Sequence, residues 1–469
     1  MAILILLSLF LFFVNNRLGS YTKFVSQQLD KTWLPTWLQD AGYSNNYIGK
    51  FINGVTPKLK RAPKGFDKNH WEPLVSPGIY TFYSPLFATN DGPLEAHEGV
   101  YQPDIISDKS IAILDGLAKN KTQPFLFVIS PTAPHDEVWS SPGGFPVFTP
   151  PVPAKRHEHL FKGAKAPRVP NFNPKVQDKV GWIGSLPRLN ETQIKVIDDT
   201  YRARLQSLQA TDELVERIIK RLERNGQLDN TYIVYTTDNG YHLGTHRMFS
   251  GKQTAFEEDT NIPFIIRGPG VAKGKKSNAV ATHTHFPATV LHLAGLNVPE
   301  SLDAYPIPVL ENKAIYGKDQ PTEAFANAYK SVRLIGQSYN LLYTVWCTGE
   351  HEYYDLVKDP FQIKNIYHTT KSSVLNRLDA LLNVLRTCKG PTCRDPWAVI
   401  HKVENEQEAE KEKNNKLGRH HHRRVRSLND ALSKKYDKFY STLPKFGYKS
   451  CLDYYLTENE VTLPSHTEL

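Results

Sequence analysis

Two unbroken apolar runs dominate the pattern. Phe125 to Ser130 (FLFVIS) and Tyr232 to Thr236 (YIVYT) are β-branched and aromatic almost throughout. Such runs mark strands covered on both faces in a parallel sheet. A further strand-like run covers Pro263 to Arg267. Helical spacing frames them. Asp104 to Lys119 lines up Ile105, Ile106, Ile111, Leu114 and Leu117. Asn190, a good N-cap, opens a long helix in which Ile194, Ile197, Tyr201, Leu205 and Leu208 fall three and four apart,. Val215, Ile219 and Leu222 continue that stripe to a stop near Gly226,. Tyr21 to Lys50 reads as a helix with Leu34, Leu38 and Ala41 on one side, begun or broken at Pro35, then a short strand ending at Gly49-Lys50,. Pro57 to Glu98 and Val138 to Pro187 are proline-rich excursions suited to bordering a pocket,. From about Ser301, Tyr339 to Thr344 and Glu352 to Leu356 read as a small antiparallel sheet,. Strands alternating with helices, then a shorter appendage, give an α/β protein with a C-terminal α+β subdomain.

In open parallel sheets, ligands sit just beyond the carboxyl ends of the strands. His135 follows the first apolar run, and Asp238-Asn239-Gly240 follows the second. They can therefore face one cleft. Asp238 and Asn239 offer hard oxygen ligands to a divalent cation, and Gly240 allows a sharp turn. Lys252 adds an ammonium, which beside a metal suits an anionic ester. The adjacent Asp198 and Asp199 point apart on their helix, so they are not expected to form a metal pair.

Composition narrows this only slightly. At 469 residues, 40% hydrophobic, 22% charged and 11% aromatic, the chain can bury a large core,. A formal charge of +9 fits an anionic substrate without demanding one,. No nucleic-acid partner and no stable membrane span are expected. Ala2 to Val14 is too short for an ordinary span and close to a secretory h-region, though no basic residue precedes it and no Ala-x-Ala site follows,. Its alternatives are a short membrane anchor or a start that belongs to no mature protein. Cys388 and Cys393 could close a tight loop, leaving Cys347 and Cys451 as the other possible pair,. The sequons at Asn120 and Asn190 are compatible with the secretory route and a glycoprotein,. Val403 to Lys416 alternates glutamate and lysine, and Arg419 to Arg426 is strongly basic, which reads as solvated helix and loop, with a polyanion contact as the alternative.

The Tyr232 strand, Asp238-Asn239-Gly240-Tyr241-His242, Gly251-Lys252, Glu257-Glu258-Asp259 and Arg267-Gly268-Pro269-Gly270 together resemble the metal-and-lysine segment of the sulfatase family. The branch resembled is that of the arylsulfatases and N-acetylglucosamine-6-sulfatases. The likeness runs from about Tyr21 to Leu296 and more weakly to the C-terminus, where Glu352-Tyr353-Tyr354-Asp355-Leu356 resembles the family's Glu-Leu-Tyr-Asp-Leu. It implies an alkaline-phosphatase-like mixed sheet sandwiched by helices. The division expected is a signal-like segment at 1–20, a catalytic-type domain at 21–300, and a C-terminal subdomain at 301–469 with a basic, low-complexity stretch at 401–430. The implied activity is hydrolysis of aryl or sugar sulfate esters by a secreted protein.

Family roles carry over to individual residues. Lys50 in Tyr47-Ile48-Gly49-Lys50 and Lys252 would bind the sulfate group. His135 in Ala133-Pro134-His135 would touch the ester and protonate the leaving oxygen. Asp238 and Asn239 would hold calcium. Some features depart from the family. Ile52 stands where many sulfatases carry a histidine two residues after the lysine, a departure shared by this branch, and His285 stands where a helix usually begins with aspartate. The Cys-x-Pro-Ser-Arg or Cys-x-Ala-x-Arg motif that becomes formylglycine is absent, as are the two aspartates of the first strand. The expectation is a truncated sulfatase with a calcium half-site, inactive as it stands. The alternative is a non-catalytic protein that binds sulfate or a sulfated glycan. The absent segment should also carry an interior strand, a position that Ala2 to Val14 is a candidate to fill in part.

Overall fold

The apolar runs form the middle of a six-stranded sheet. In chain order its strands are β1 (Ala2–Ser8), β2 (Ser44–Gly49), β3 (His70–Pro73), β4 (Phe125–Ser130), β5 (Thr231–Thr237) and β6 (Phe264–Arg267), arranged β6-β5-β1-β4-β2-β3. All neighbours are parallel except β6, which runs antiparallel to β5. The computed structural model describes residues 2–8, 20–140, 146–277, 279–310, 322–326, 329–402, 425–452 and 457–465.

The interior strand expected to be missing is present, which corrects the sequence reading, and it is formed by part of the N-terminal run named as the candidate for that position. Ala2–Ser8 lies between β4 and β5, with Leu4 opposite Phe127 on one side and Ile233 on the other. Ile3, Leu4 and Ile5 are at most 1% exposed. A run of branched apolar side chains satisfies an h-region and a doubly covered strand equally, so composition alone does not separate the two. Residues 9–19, the remainder of the expected signal-like segment, lie outside the described part of the chain.

Alternation along each strand sends successive side chains to opposite faces. Leu4, Phe127, Ile129 and Ile233 meet Ile106 and Leu114 of α1 (Gln102–Leu117) and Leu214, Ile218 and Leu222 of α2 (Glu191–Arg224). On the other face, Ile3, Ile5, Leu126, Val128 and Val234 pack with Phe24, Leu38 and, from α3 (His285–Leu293), Phe286 and Val290. Asn190 caps α2 reciprocally with Gln193: each side-chain oxygen accepts the other's backbone N–H at 2.9 Å,. Asp198 turns to Arg168 and Asp199 to Lys195 and Arg202, so the two carboxylates do point apart.

The stretch read as one helix after Tyr21 is in pieces, Ser20–Ser26, Leu29–Lys31 and Leu34–Asp40, with Pro35 in the first turn of the last. Within the stretch read as an irregular rim, Glu137–Ser140 and Pro146–Thr149 pair as an antiparallel hairpin. The C-terminal region builds a four-stranded antiparallel sheet, β7 (Thr322–Ala326), β8 (Tyr329–Ile335), β9 (Asn340–Trp346) and β10 (His351–Asp355). It packs on α4 (Ser372–Thr387) through Val332, Tyr343, Leu378 and Leu381. Both cysteine pairs are disulfides, Cys347–Cys451 and Cys388–Cys393. The glutamate-lysine and basic stretches at 403–424 lie outside the described residues.

Candidate active site

The level ends of the central strands bring the functional side chains together. Ser130 of β4 pairs with Gly49 of β2, and Ser8 of β1 pairs with Thr237 of β5. Lys50, His135 and Asp238 therefore leave the sheet along one edge. At Gly49 (φ +109°) a Cβ would lie 2.1 Å from the Ser130 carbonyl oxygen. That close approach requires glycine, and it lets the Lys50 amide donate to the same oxygen at 2.7 Å,.

Lys50 is 6% exposed. Its ammonium donates to Asn53 Oδ1 at 2.9 Å and to the Phe51 carbonyl, and lies 5.3 Å from the centre of the Tyr80 ring. Burial pushes its pKa down to about 7, against the pull of the Asp238 carboxylate and with the help of the Lys252 ammonium,. Tyr80 also packs against His135, ring centres 4.6 Å apart and planes tilted by 33°. His135 Nδ1 donates to the Asp136 carbonyl at 2.8 Å, which fixes the tautomer and leaves Nε2 as the acceptor. Burial, then Lys252, lowers this imidazole's pKa to about 3; Lys50 and Arg204 add to the effect, and the Asp136 carbonyl opposes it.

The second loop is held from below. A Cβ on Gly240 would lie 1.9 Å from the Glu258 carbonyl oxygen. Its absence lets the Gly240 and Tyr241 amides donate to the carbonyls of Asp259 and Glu258 at 2.8 and 2.7 Å. The buried Asp259 carboxylate in turn grips His242 Nδ1 at 2.9 Å and accepts the Thr254 amide and hydroxyl at 2.8 and 2.7 Å. The acidic run after Lys252 thus anchors the loop that carries it. The Lys252 ammonium has no bonding partner among the described residues, yet its charge acts on Lys50, His135 and Asp238. Burial raises the Asp238 pKa, while Lys252 and Lys50 oppose that rise.

All five residues singled out in the sequence thus belong to one electrostatic and hydrogen-bonded neighbourhood. The sequence reading missed Asn53, Tyr80, Asp136, Arg204 and Tyr241. Tyr80 sits in an irregular segment with no periodicity, and Arg204 is one basic residue among several on α2, so neither carries a local signal.

The residues present do not fit a complete calcium site. Calcium takes about six to eight oxygens, whereas no group of three or more His, Cys, Asp or Glu is placed to hold a metal among the described residues. Asp238 Oδ1 already accepts the Asn239 amide at 3.0 Å, and Asn239 Nδ2 donates to the Gly240 carbonyl at 2.7 Å. Nor is there a thiol to become formylglycine, because all four cysteines are paired.

Comparison with known proteins bears on this geometry. Residues 5–296 match the Sulfatase family, and residues 244–387 match the family described as N-sulphoglucosamine sulphohydrolase, C-terminal. The Volvox carteri arylsulfatase is 35% identical over 95% of this chain and 72% of its own length. The Bos taurus N-acetylglucosamine-6-sulfatase is 28% identical over 76% of this chain and 68% of its own. A solved structure of a protein in complex with its substrate, D-glucosamine-2-N,6-O-disulfate, superposes with a TM-score of 0.60 at 25% identity, covering 75% of this chain and 80% of that one. The chain belongs to the sulfatase family, whose members are sulfuric ester hydrolases.

Proposed function

We propose that Lys50, His135 and Lys252 form the cleft in which this chain binds the sulfate ester of a sugar, and that the chain as it stands holds the ester without splitting it. The observation that carries the reading is that Lys50 and His135 leave the ends of adjacent parallel strands, both beside the Tyr80 ring, with the charge of Lys252 acting on both. A sulfate monoester is a monoanion with three exposed oxygens, a good match for two cations and a hydrogen-bonding ring. With its pKa near 7, Lys50 takes up a proton readily when an anion arrives. The same anion raises the basicity of His135, whose Nε2 faces away from its bond to Asp136.

Splitting the ester requires a nucleophile, which family resemblance assigns to a formylglycine hydrate made from cysteine. No cysteine here stands in that motif, and each is committed to a disulfide. Without that group no covalent sulfuryl transfer can begin. Asp238 and Asn239 remain as half of a calcium site. The disulfides fit an oxidising, secretory compartment, and no helix among the described residues is long and apolar enough to cross a membrane.

The test is binding of glucosamine 6-sulfate to the purified chain and to Lys252→Ala. Saturable binding that weakens at least about tenfold in the variant, the scale of one charge-assisted contact, supports the cleft. Binding unchanged by the substitution counts against it.

A further inference from the structure

Most arginines along α2 are neutralised by a neighbouring carboxylate. Arg202 pairs with Asp199 at 2.9 Å, Arg217 with Asp108 at 2.7 Å and Arg221 with Asp115 at 2.6 Å. Arg204 differs from these. No carboxylate lies within ion-pair distance of it among the described residues. Its Nη1 donates to the Pro134 carbonyl at 2.7 Å, and its guanidinium carbon lies over the Tyr241 ring, 4.0 Å from the centre. The Tyr241 hydroxyl donates to Asp136 Oδ2 at 2.7 Å. This group is therefore fixed in place by one hydrogen bond and one aromatic face, beside the residues that flank His135.

A guanidinium carries five N–H donors in a rigid fork. Only one nitrogen is committed to protein here, so Nε and Nη2 have no protein partners among the described residues. Holding a partly buried cation without a counter-ion is unfavourable, and such groups concentrate where a ligand supplies the missing charge. The burial does lower the Arg204 pKa, with Tyr241, Asp136 and Asp238 opposing. Its charge also reaches His135, so it belongs to the cleft rather than to the outer surface of the helix.

We propose that Arg204 is a specificity-determining residue that takes a second acidic group of the substrate, a sulfate or a carboxylate, while Lys50, His135 and Lys252 take the first sulfate. The proposal rests on the reading of the cleft as a sulfate-ester site. It assigns the substrate class as sugars with two acidic groups, because a fork with free donors meets a planar or trigonal anion through two parallel bonds. The cation-π contact with Tyr241 orients the fork, which a lysine could not reproduce.

The experiment is isothermal titration of the purified chain with glucosamine 6-sulfate, glucosamine N,6-disulfate and a sulfated hexuronic acid. The same titrations are run on Arg204→Gln and Arg204→Lys. The doubly acidic sugars are expected to bind at least about tenfold more tightly than the monosulfated one, roughly the value of a bidentate charge-assisted contact. The stronger of the two identifies the second group as sulfate or carboxylate. In R204Q this advantage is expected to fall to within about twofold, the doubly acidic sugars losing far more affinity than the monosulfated one; R204K is expected to fall between, because it keeps charge without the fork. Equal weakening of all ligands in either variant would overturn the proposal, since it would mean Arg204 acts only by bracing the His135 loop. Equal affinity of the wild-type chain for all three sugars would overturn it too. Failure of every sugar to bind the wild-type chain would instead overturn the underlying sulfate reading, and this proposal with it.

Discussion

Lys50 and Tyr80 are joined through a single shared oxygen: Asn53 Oδ1 accepts the Lys50 ammonium at 2.9 Å and the Tyr80 hydroxyl at 2.7 Å. Asn53 lies one residue beyond Ile52, where many sulfatases carry a histidine, and Ile52 is packed in the core at 2% exposure. The lysine is thus steadied by a carboxamide from its own loop, and the aromatic ring that lines the ammonium also supports His135.

Asn53→Ala should therefore destabilise the protein by about 1–3 kcal/mol, the usual cost of leaving buried donors unmet. Two donors lose one acceptor, and one of them is an ammonium. Urea unfolding of the variant against wild type measures the difference. A change below about 0.5 kcal/mol, the range of ordinary surface substitutions, would mean the bond is idle.

Sulfate affinity should fall as pH rises through about 7, the value to which burial lowers Lys50. The sign follows from which form binds. Below that pH the group is an ammonium and attracts the anion; above it the amine is neutral and the attraction is lost. Binding near neutrality should also take up protons from the buffer. Titration in buffers of different ionisation enthalpy reads both effects, and Lys50→Met should abolish them. A flat profile between pH 6 and pH 8 would sink this assignment.

Strand β1 should be indispensable to the fold. Leu4→Ala removes a fully buried side chain between Phe127 and Ile233 and should cost about 2–5 kcal/mol. Deleting residues 2–8 strips ladder partners from both β4 and β5 and should abolish cooperative unfolding. Circular dichroism melts of the two variants decide. An unaltered melt of the deleted form would show that Ala2–Ser8 is not part of the sheet.

The two disulfides should differ in weight. Cys347–Cys451 closes a separation of 104 residues and Cys388–Cys393 one of 5. On the loop-entropy argument the longer closure constrains the unfolded chain more, by roughly 2.7 kcal/mol between loops of these sizes. Paired serine substitutions, compared by denaturant midpoint, test the ranking. A smaller loss from the long closure would reverse it.

Much of the site was legible because the apolar runs ending at Ser130 and Thr236 announced strands, and the residues just beyond them were chemically distinctive. The N-cap Asn190 and the stop near Gly226 bounded the long helix for similar local reasons. What was not legible depends on distant contacts. Whether Ala2–Ser8 leaves as a signal-like segment or stays as a strand is decided by two partners more than 100 residues away. Arg204 looks like its neighbours on α2 until Pro134 and Tyr241 are folded against it. The hairpin from Glu137 pairs two four-residue segments of weak alternation, which hides a strand from any periodicity.

Equilibrium dialysis of a chromogenic aryl sulfate against the purified chain, with the ester and the free phenol both quantified at the end, tests most directly whether this sulfatase cleft binds without catalysis. Saturable retention with the ester recovered intact is the expected result. Release of phenol in amounts exceeding the protein would contradict it, and so would the absence of any saturable retention.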